Sequence, residues 1–125
     1  MAERIRSGLP RDVLFGAFAT GHLVGVVGFY LDKDRQGWVW GMFVHPEFRG
    51  QGLGRRLLSE IVQHARSLQD LRELHLMVAS SQKPALGLYE SCGFSPHAGP
   101  FPEGYRGGKC DRHLVLRIVR EARAI

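Results

Sequence analysis

An apolar strand pattern, a glycine-rich loop and an amphipathic helix pattern follow one another without interruption, and this order constrains the fold most. The apolar run extends from Trp38 to Val44, and the helix pattern extends from about Gly52 to Ser67. The loop between them carries glycines at positions 50, 52 and 54. Glycines allow close backbone approach, and the first N–H groups of a helix have no partners within it. Because the helix dipole is positive at this end, the arrangement predicts a site for an anion such as a phosphate.

The charges around the start of this helix agree with an anion site. Its first turn contains no Asp or Glu, although carboxylates are favoured there, whereas Arg49, Arg55 and Arg56 surround it. The glycine spacing matches neither a P-loop, which needs Gly-Lys-Ser/Thr, nor the dinucleotide-binding fingerprint. On spacing alone, an ordinary turn before an ordinary helix, with solvated arginines, stays open as an alternative.

Composition limits the classes of protein to which this chain can belong. Its 125 residues suit one domain, residues 1–125, and its hydrophobic (44%) and charged (23%) contents are those of a globular protein. No apolar run approaches the roughly 20 residues of a membrane span, and the polar start does not resemble a secretion signal. Cys92 and Cys110 are not spaced as metal ligands or as a redox pair. We therefore expect a reduced, cytoplasmic protein with no membrane partner and no metal.

The net charge of +5 and the pI of about 9.8 raise the question of a nucleic-acid partner. The basic residues are spread along the chain, with no dense tract and no interleaved aromatic residues of an RNA-binding kind. A polyanionic cofactor would also favour a basic surface. The distribution therefore argues against nucleic-acid binding.

The remaining patterns predict one α/β domain in which a mixed sheet is joined to two helices. Short polar links between the first three strands imply an antiparallel meander, and the strand–helix–strand order that follows implies a parallel, right-handed crossover. Residues 1–12 are weakly patterned and are expected to form a poorly ordered arm or a helix remnant. The predicted strands cover residues 13–19, 23–31, 38–44, 73–79, 94–97 and 112–119, and the predicted helices cover residues 52–67 and 84–92.

Two short motifs occur in this framework. Residues 49–54, Arg-Gly-Gln-Gly-Leu-Gly, match R/Q-x-x-G-x-G/A, and residues 82–94 match N-x-x-A-x-x-L-Y-E-x-x-G-F, with Gln82 in place of Asn. In this order and spacing they resemble the signatures of the GCN5-related N-acetyltransferases (GNAT family), and the resemblance covers roughly residues 13–119. It implies a GNAT-like acyl-CoA N-acyltransferase fold that here lacks the usual first strand and helices. The residues that match the second motif are Ala85, Leu88, Tyr89, Glu90, Gly93 and Phe94.

The resemblance implies an enzyme that uses acetyl-CoA as cosubstrate and acetylates a primary amine by direct attack. In that family, the strands on either side of the crossover splay apart and admit the pantetheine arm, and a tyrosine matched here by Tyr89 protonates the CoA thiolate. The acceptor is left open between a small molecule, a protein terminus and a lysine. The implied cofactor-binding residues are Met42, Phe43, Val44, Arg49, Gly50, Gln51, Gly52, Leu53, Gly54, Arg55, Gln82, Ala85 and Tyr89.

The chain departs from the family pattern at the general base. Glu or His is common at the positions of Trp38 and Trp40, and an indole cannot accept a proton. Trp38 and Trp40 are predicted to line the acceptor pocket, with two core tryptophans as the alternative. A water chain or a partly neutral acceptor would replace a base. Otherwise the base comes from elsewhere, and the candidates are His45, Glu47, Glu73 and His75.

The chain is also short before its Val13 strand. Family members usually have a strand and one or two helices there, and these helices wall the acceptor site. Their absence would leave an unpaired sheet edge, which natural proteins usually cover. This favours a homodimer in which the partner completes the wall. The second interpretation of the whole chain is a non-catalytic acyl-CoA-binding module that has lost its base and its acceptor wall.

Overall fold

The computed structural model describes residues 2–6, 12–102, 105 and 108–118. One seven-stranded mixed sheet carries two helices, and the strands lie in the order β1-β2-β3-β4-β5-β7-β6. The helices are α1 (Leu53–Arg66) and α2 (Lys83–Ser91). The strands are β1 (Ala2–Arg6), β2 (Asp12–Ala19), β3 (His22–Leu31), β4 (Gly37–Val44), β5 (Glu73–Val78), β6 (Ser95–Pro96) and β7 (Arg112–Arg117).

The predicted connectivity is confirmed. Strands β1 to β4 form an antiparallel meander, β5 is parallel to β4, and β7 is antiparallel to β5. The β4–α1–β5 unit is the predicted crossover, since a parallel neighbour can be reached only by a long connection. A tight turn joins β2 to β3, where Thr20 and Gly21 both have positive φ angles, of 50° and 80°.

The expectation for residues 1–12 is wrong for part of that segment. Ala2–Arg6 is a strand that pairs antiparallel with β2, with Ala2 opposite Ala17 and Arg6 opposite Val13. The chain therefore has a strand before β2, and β2 is not a sheet edge. The pattern is difficult to recognise because an edge strand of five residues with three charged side chains has no clear apolar alternation. Residues 7–11, the remainder of the expected arm, lie outside the described residues.

The core lies between one face of the sheet and α1. The apolar stripe of α1 packs on the inward side chains of β2 to β5, and its residues Leu57, Leu58 and Ile61 are fully buried. Side chains alternate across a strand, so the intervening residues project from the opposite face, which carries both tryptophans and several histidines. Among the described residues, no helix is long and apolar enough to cross a membrane.

The sheet opens between β4 and β5. These strands pair only at Gly37 with Leu74 and at Trp38 with His75, at their N-terminal ends. Beyond Trp38 they diverge, as the resemblance implies, whereas β5 stays paired with β7 over its full length. A bulge in the β3–β4 ladder, between Val26 and Gly28, adds local twist at the same height. The result is a V-shaped gap in the middle of the sheet.

Candidate functional site

The glycine-rich loop lies directly after β4, at the open end of the gap. A 3₁₀ turn, Pro46–Phe48, starts it, and His45 Nδ1 accepts a hydrogen bond from the Glu47 N–H at 3.2 Å. Gly50 and Gly52 have φ angles of 79° and 82°, in the left-handed region, and a Cβ atom added to either would meet nothing within 4 Å. The backbone is therefore held in a conformation that suits glycine, and it faces open space.

The N-terminus of α1 presents backbone donors to that space. Gly52 is the N-cap and forms no side-chain capping bond, and the first turn carries no acidic residue. The first N–H groups of such a helix need a partner from outside it. Leu53 and Gly54 are half-buried, whereas Gln51 and Arg55 are exposed.

Two of the three predicted arginines are already engaged by the protein. Arg49 Nε donates to the carbonyl of Val44 at 2.8 Å, and its guanidinium lies 5.7 Å from the ring centroid of Phe43. Arg55 donates to the Ser91 hydroxyl at 2.8 Å and so joins the start of α1 to the end of α2. A guanidinium has five N–H donors, so each arginine keeps further donors for an anion.

The edge of β4 along the gap is polar backbone without a strand partner. Past Trp38, no described residue of β5 pairs with β4. Met42 and Val44 are half-buried, and Phe43 is 51% exposed. Gly41, with a φ of 65°, lies in the bulge just before them. Unpaired main-chain groups need a partner in water or in a ligand, so this edge can accept an extended, amide-containing molecule.

The second motif lies beside the first. Its helix α2 follows β5 across the gap, and the Leu88 side chain contacts the start of α1, where a Cβ on Gly54 would lie 3.0 Å from Leu88 Cδ2. Gln82 is the exposed N-cap residue of α2, without a side-chain capping bond, and Ala85 is half-buried. The structure therefore brings the predicted cofactor-binding residues of both motifs to the open end of one gap.

Tyr89 is buried in the core beneath this site. Its side chain is 6% exposed, and its ring packs edge-on against Phe94 with 6.0 Å between centroids. Burial raises the pKa of Tyr89 to about 12, with a smaller contribution from Cys110. No hydrogen bond joins its hydroxyl to any residue that the structure describes. The phenol therefore stays protonated at neutral pH and can act as a donor.

The two tryptophans differ in their surroundings. Trp38 is half-buried, and its indole N–H donates to Asp32 Oδ2 at 2.9 Å. Trp40 is 46% exposed, and its indole lies over Gly28, where a Cβ atom would come within 2.2 Å of the ring. Trp40 thus presents a free aromatic surface on the face opposite α1, while Trp38 is fixed in place.

The four candidate bases lie at two ends of the gap. His45 and Glu47 are exposed at its open end. Glu73 and His75 are on the paired, closed end of β5. Both ring nitrogens of His75 are hydrogen-bonded to side chains, so His75 has no lone pair free to accept a substrate proton. The roles of the other three candidates stay predictions.

Three histidines form a cluster beside Trp38. The sequence alone indicated only one of them, His75, and did not predict the cluster. His75 and His113 are buried on the face opposite α1, and each stacks on the Trp38 indole, at 5.0 and 5.4 Å between centroids. His97 stacks on His113 at 4.2 Å. Burial lowers the pKa of His113 to about 4, and the His97 and His75 imidazoles add to this. Burial also lowers the pKa of His75, so both rings are neutral at pH 7.

Comparison with known proteins identifies the family. A family model described as "Acetyltransferase (GNAT) family" matches residues 2–94. A Bacillus subtilis (strain 168) protein, named as a candidate alanine N-acetyltransferase of a ribosomal protein, is 37% identical over 99 residues, which are 79% of this chain and 63% of that protein. The spermine/spermidine N(1)-acetyltransferase of the same strain is 28% identical over 63% of this chain and 57% of its own length. The chain thus spans less than two thirds of these relatives.

A solved structure confirms the fold. A GNAT-family acetyltransferase from Streptococcus pneumoniae superposes with a TM-score of 0.75 over 91% of this chain and 71% of that chain, at 24% sequence identity. The α/β, GNAT-like fold expected from the sequence is therefore confirmed.

The raised pKa of Tyr89 predicts a distinct alkaline titration. We expect the difference in phenolate absorbance between the wild type and Tyr89→Phe to titrate near pH 12, above the ordinary value of about 10. Because the folded pKa is the higher one, this group stabilises the fold below pH 10, and the stabilisation is lost as pH rises toward 12. A difference spectrum with its midpoint near pH 10 would contradict the burial of this hydroxyl.

Proposed function

We propose that this chain, which belongs to the GNAT acetyltransferase family, transfers the acetyl group of acetyl-CoA to a primary amine. The amine nitrogen attacks the thioester carbonyl carbon, the C–S bond breaks, and the sulfur leaves as a thiolate. The amine nitrogen loses one proton and the sulfur gains one. The observation that carries the proposal is the gap between β4 and β5, with a donor-rich helix N-terminus at its open end and the start of α2 across from it.

The gap suggests how acetyl-CoA would be held. Its pyrophosphate would accept hydrogen bonds from the N–H groups around Gly50 to Gly54, aided by the helix dipole and by Arg49 and Arg55. Its pantetheine arm carries two amides, which would pair with the β4 edge near Met42, Phe43 and Val44. A β4 N–H directed at the thioester oxygen would stabilise the negative charge that develops there. Gln82 and Ala85, at the start of α2, would border the far side of the arm.

Tyr89 would act on the leaving sulfur. A thiol has a pKa of about 8.5, so a phenol with a pKa of about 12 is the weaker acid. Complete proton transfer to a free thiolate would therefore be uphill by about 5 kcal/mol. The hydroxyl is most effective while the C–S bond breaks, when its hydrogen bond stabilises the charge on sulfur as the proton moves across.

The acceptor is proposed to be an amine that is partly neutral at pH 7. An α-amino group, with a pKa of about 7.7 to 8.0, is about one tenth neutral there, whereas a lysine amine at about 10.4 is neutral in less than one molecule in a thousand. A site with Trp38 and Trp40 at the usual base positions suits the first kind better. The first relative named above is described as an alanine N-acetyltransferase of a ribosomal protein, which agrees with this choice, whereas the second is described as a spermine/spermidine N(1)-acetyltransferase, and those amines are alkyl amines. The compartment proposed for the chain is the cytoplasm, where acetyl-CoA is supplied.

A homodimer is proposed to complete the acceptor site. No described helix lies over the face opposite α1, and Tyr30 and Trp40 are 39% and 46% exposed there. A second copy that covers this face would bury both side chains and wall the gap. Sedimentation equilibrium should then give twice the monomer mass of 14.0 kDa, and Trp40→Lys should shift the mass toward the monomer. A wild type that stays monomeric at tens of micromolar would exclude this arrangement.

Replacement of Tyr89 by Phe tests the catalytic role. We expect acetyl-CoA turnover, measured as free thiol released with a panel of amines, to fall by about 100-fold or more, the usual contribution of a positioned acid. The affinity for acetyl-CoA should change little, because the ring remains. Tyr30→Phe is the matched control, because it removes an exposed hydroxyl outside both motifs and keeps the ring that the proposed dimer interface would bury.

If the wild type binds acetyl-CoA but releases no thiol with any amine, the chain is a non-catalytic acyl-CoA-binding module. If Tyr89→Phe turns over like the wild type, the assignment of Tyr89 is wrong while the acetyltransferase activity stands.

Replacement of Gly52 by Ala tests the anion site. An L-residue at this φ is strained by about 1–2 kcal/mol, and the new methyl group would lie where the phosphates approach. We expect the Kd for acetyl-CoA, measured by calorimetry, to rise at least about tenfold, or ~1.4 kcal/mol. Gly21→Ala carries a similar strain at a φ of 80° and also meets nothing within 4 Å, but it lies outside both motifs. Equal losses of affinity in the two variants would argue against the loop as the phosphate site.

A further inference from the structure

The structure assigns a binding site for a divalent transition-metal ion to His75, His97 and His113, on the sheet face opposite α1. Each imidazole offers one ring nitrogen, and these three atoms all lie within 4.8 Å of one another. The ligands come from β5, from the segment after β6 and from β7. This site is separate from the cofactor gap, and the inference does not depend on the acetyl-transfer proposal.

The distances suit one ion. Ligand nitrogens lie about 2.0–2.1 Å from zinc, so two nitrogens of a tetrahedral site are roughly 3.4 Å apart. His75 Nδ1 and His113 Nε2 are 2.9 Å apart, so an ion bound to both would move these two atoms apart by about 0.5 Å. The widest separation must close by somewhat more than 1 Å, and His97 is the ligand that can move. It is only partly buried, on a short segment tied to β7 by its N–H bond to the His113 carbonyl at 2.8 Å.

The surroundings of His75 orient it as a ligand. Gln36 Oε1, which can only accept, lies 2.9 Å from His75 Nε2, so that nitrogen carries the hydrogen. His75 Nδ1 then has the lone pair, which accepts a hydrogen bond from His113 Nε2 in the metal-free protein. An ion between the two rings would replace that hydrogen, and the His113 proton would move to Nδ1 of the same ring. Metal-binding histidines usually donate their second N–H to a carbonyl or carboxylate in this way. The Glu73 carboxylate, 3.7 Å from the same nitrogen, adds negative charge behind the ligand.

The cluster is not satisfied by the protein alone. Nδ1 of His97 and Nδ1 of His113 are both buried and have no hydrogen-bond partner among the described residues. Buried polar atoms in native proteins almost always have a partner, so each of these two nitrogens indicates a missing water or ion. The two nitrogens of one imidazole point in different directions, so His113 would bind the ion through Nε2 and leave its Nδ1 to a water, while Nδ1 of His97 is available as a ligand. His113 is 7% exposed and His75 is 5% exposed, so the charge of a bound ion would be shielded from solvent.

The ligand set selects the class of metal. Imidazole nitrogen suits zinc, copper, nickel and iron, whereas magnesium and calcium need oxygen ligands. Three imidazoles leave a fourth position for water or for another group. Trp38 stacks on two of the ligands, so a bound ion would fix the wall that separates this site from the closed end of the gap.

The test is calorimetric titration of the chelator-stripped full chain with Zn²⁺, repeated with Co²⁺. We expect one ion per chain with a Kd in the micromolar range or below, a visible Co²⁺ absorption spectrum of a nitrogen-rich site, and a rise of several degrees in Tm with Zn²⁺. His97→Ala should weaken binding at least tenfold. Gln36→Ala, which removes only the group that orients His75, should weaken it by about 10- to 100-fold.

His22→Ala removes an exposed histidine outside the cluster and should bind like the wild type. Circular dichroism of each variant establishes that it is folded, and His97, the least buried ligand, is the residue whose replacement disturbs the core least. The inference is overturned if the wild type binds neither ion more tightly than about 0.1 mM, or if His97→Ala and His22→Ala bind equally well. In that case the cluster is a hydrogen-bonded histidine network completed by water.

Discussion

The parallel pairing of β4 and β5 ends after two residue pairs, and the rest of the site depends on where it ends. A parallel pair that continued to Val44 would satisfy every backbone group along both strands and leave no room between them. Because pairing ends at Trp38 and His75, main-chain donors and acceptors in the middle of the sheet stay available. A sheet normally carries such free groups only at its edges. Here the free edge is interior, and the chain segments that follow both strands begin at its open end.

The same divergence explains why the two sequence motifs lie next to each other. The glycine loop follows β4 and the start of α2 follows β5, so each motif takes its position from one side of the gap. Arg55 joins the two sides through Ser91, and Leu88 packs against Gly54. An anion at the loop would therefore contact a helix terminus that α2 already holds in place. This preorganisation reduces the entropy lost on binding.

Much of this fold could be predicted from the sequence because its elements are locally encoded. The apolar stripe of α1 and the β-rich runs placed six strands and both helices within about two residues of their bounds. The Ala2–Arg6 strand could not be predicted, because its own sequence pattern is polar and its formation depends on pairing with β2 in the folded protein. The loop residues of the candidate site could be named from the sequence because they are contiguous, and their role in binding stays a prediction. The cluster of His75, His97 and His113 could not, since its members are far apart in sequence and are brought together only by the pairing of β7 with β5 and with β6.

The two faces of the sheet differ in chemical character, and both tryptophans lie on the face opposite α1. The face under α1 is apolar and excludes water, and burial raises the pKa of Tyr89 to about 12. The opposite face carries neutral imidazoles and the exposed indole of Trp40. An acceptor amine that approaches from this second face would meet aromatic surface instead of a carboxylate. A positive ammonium can be attracted to that surface, but only the neutral amine can attack, so such a site selects acceptors by their own pKa.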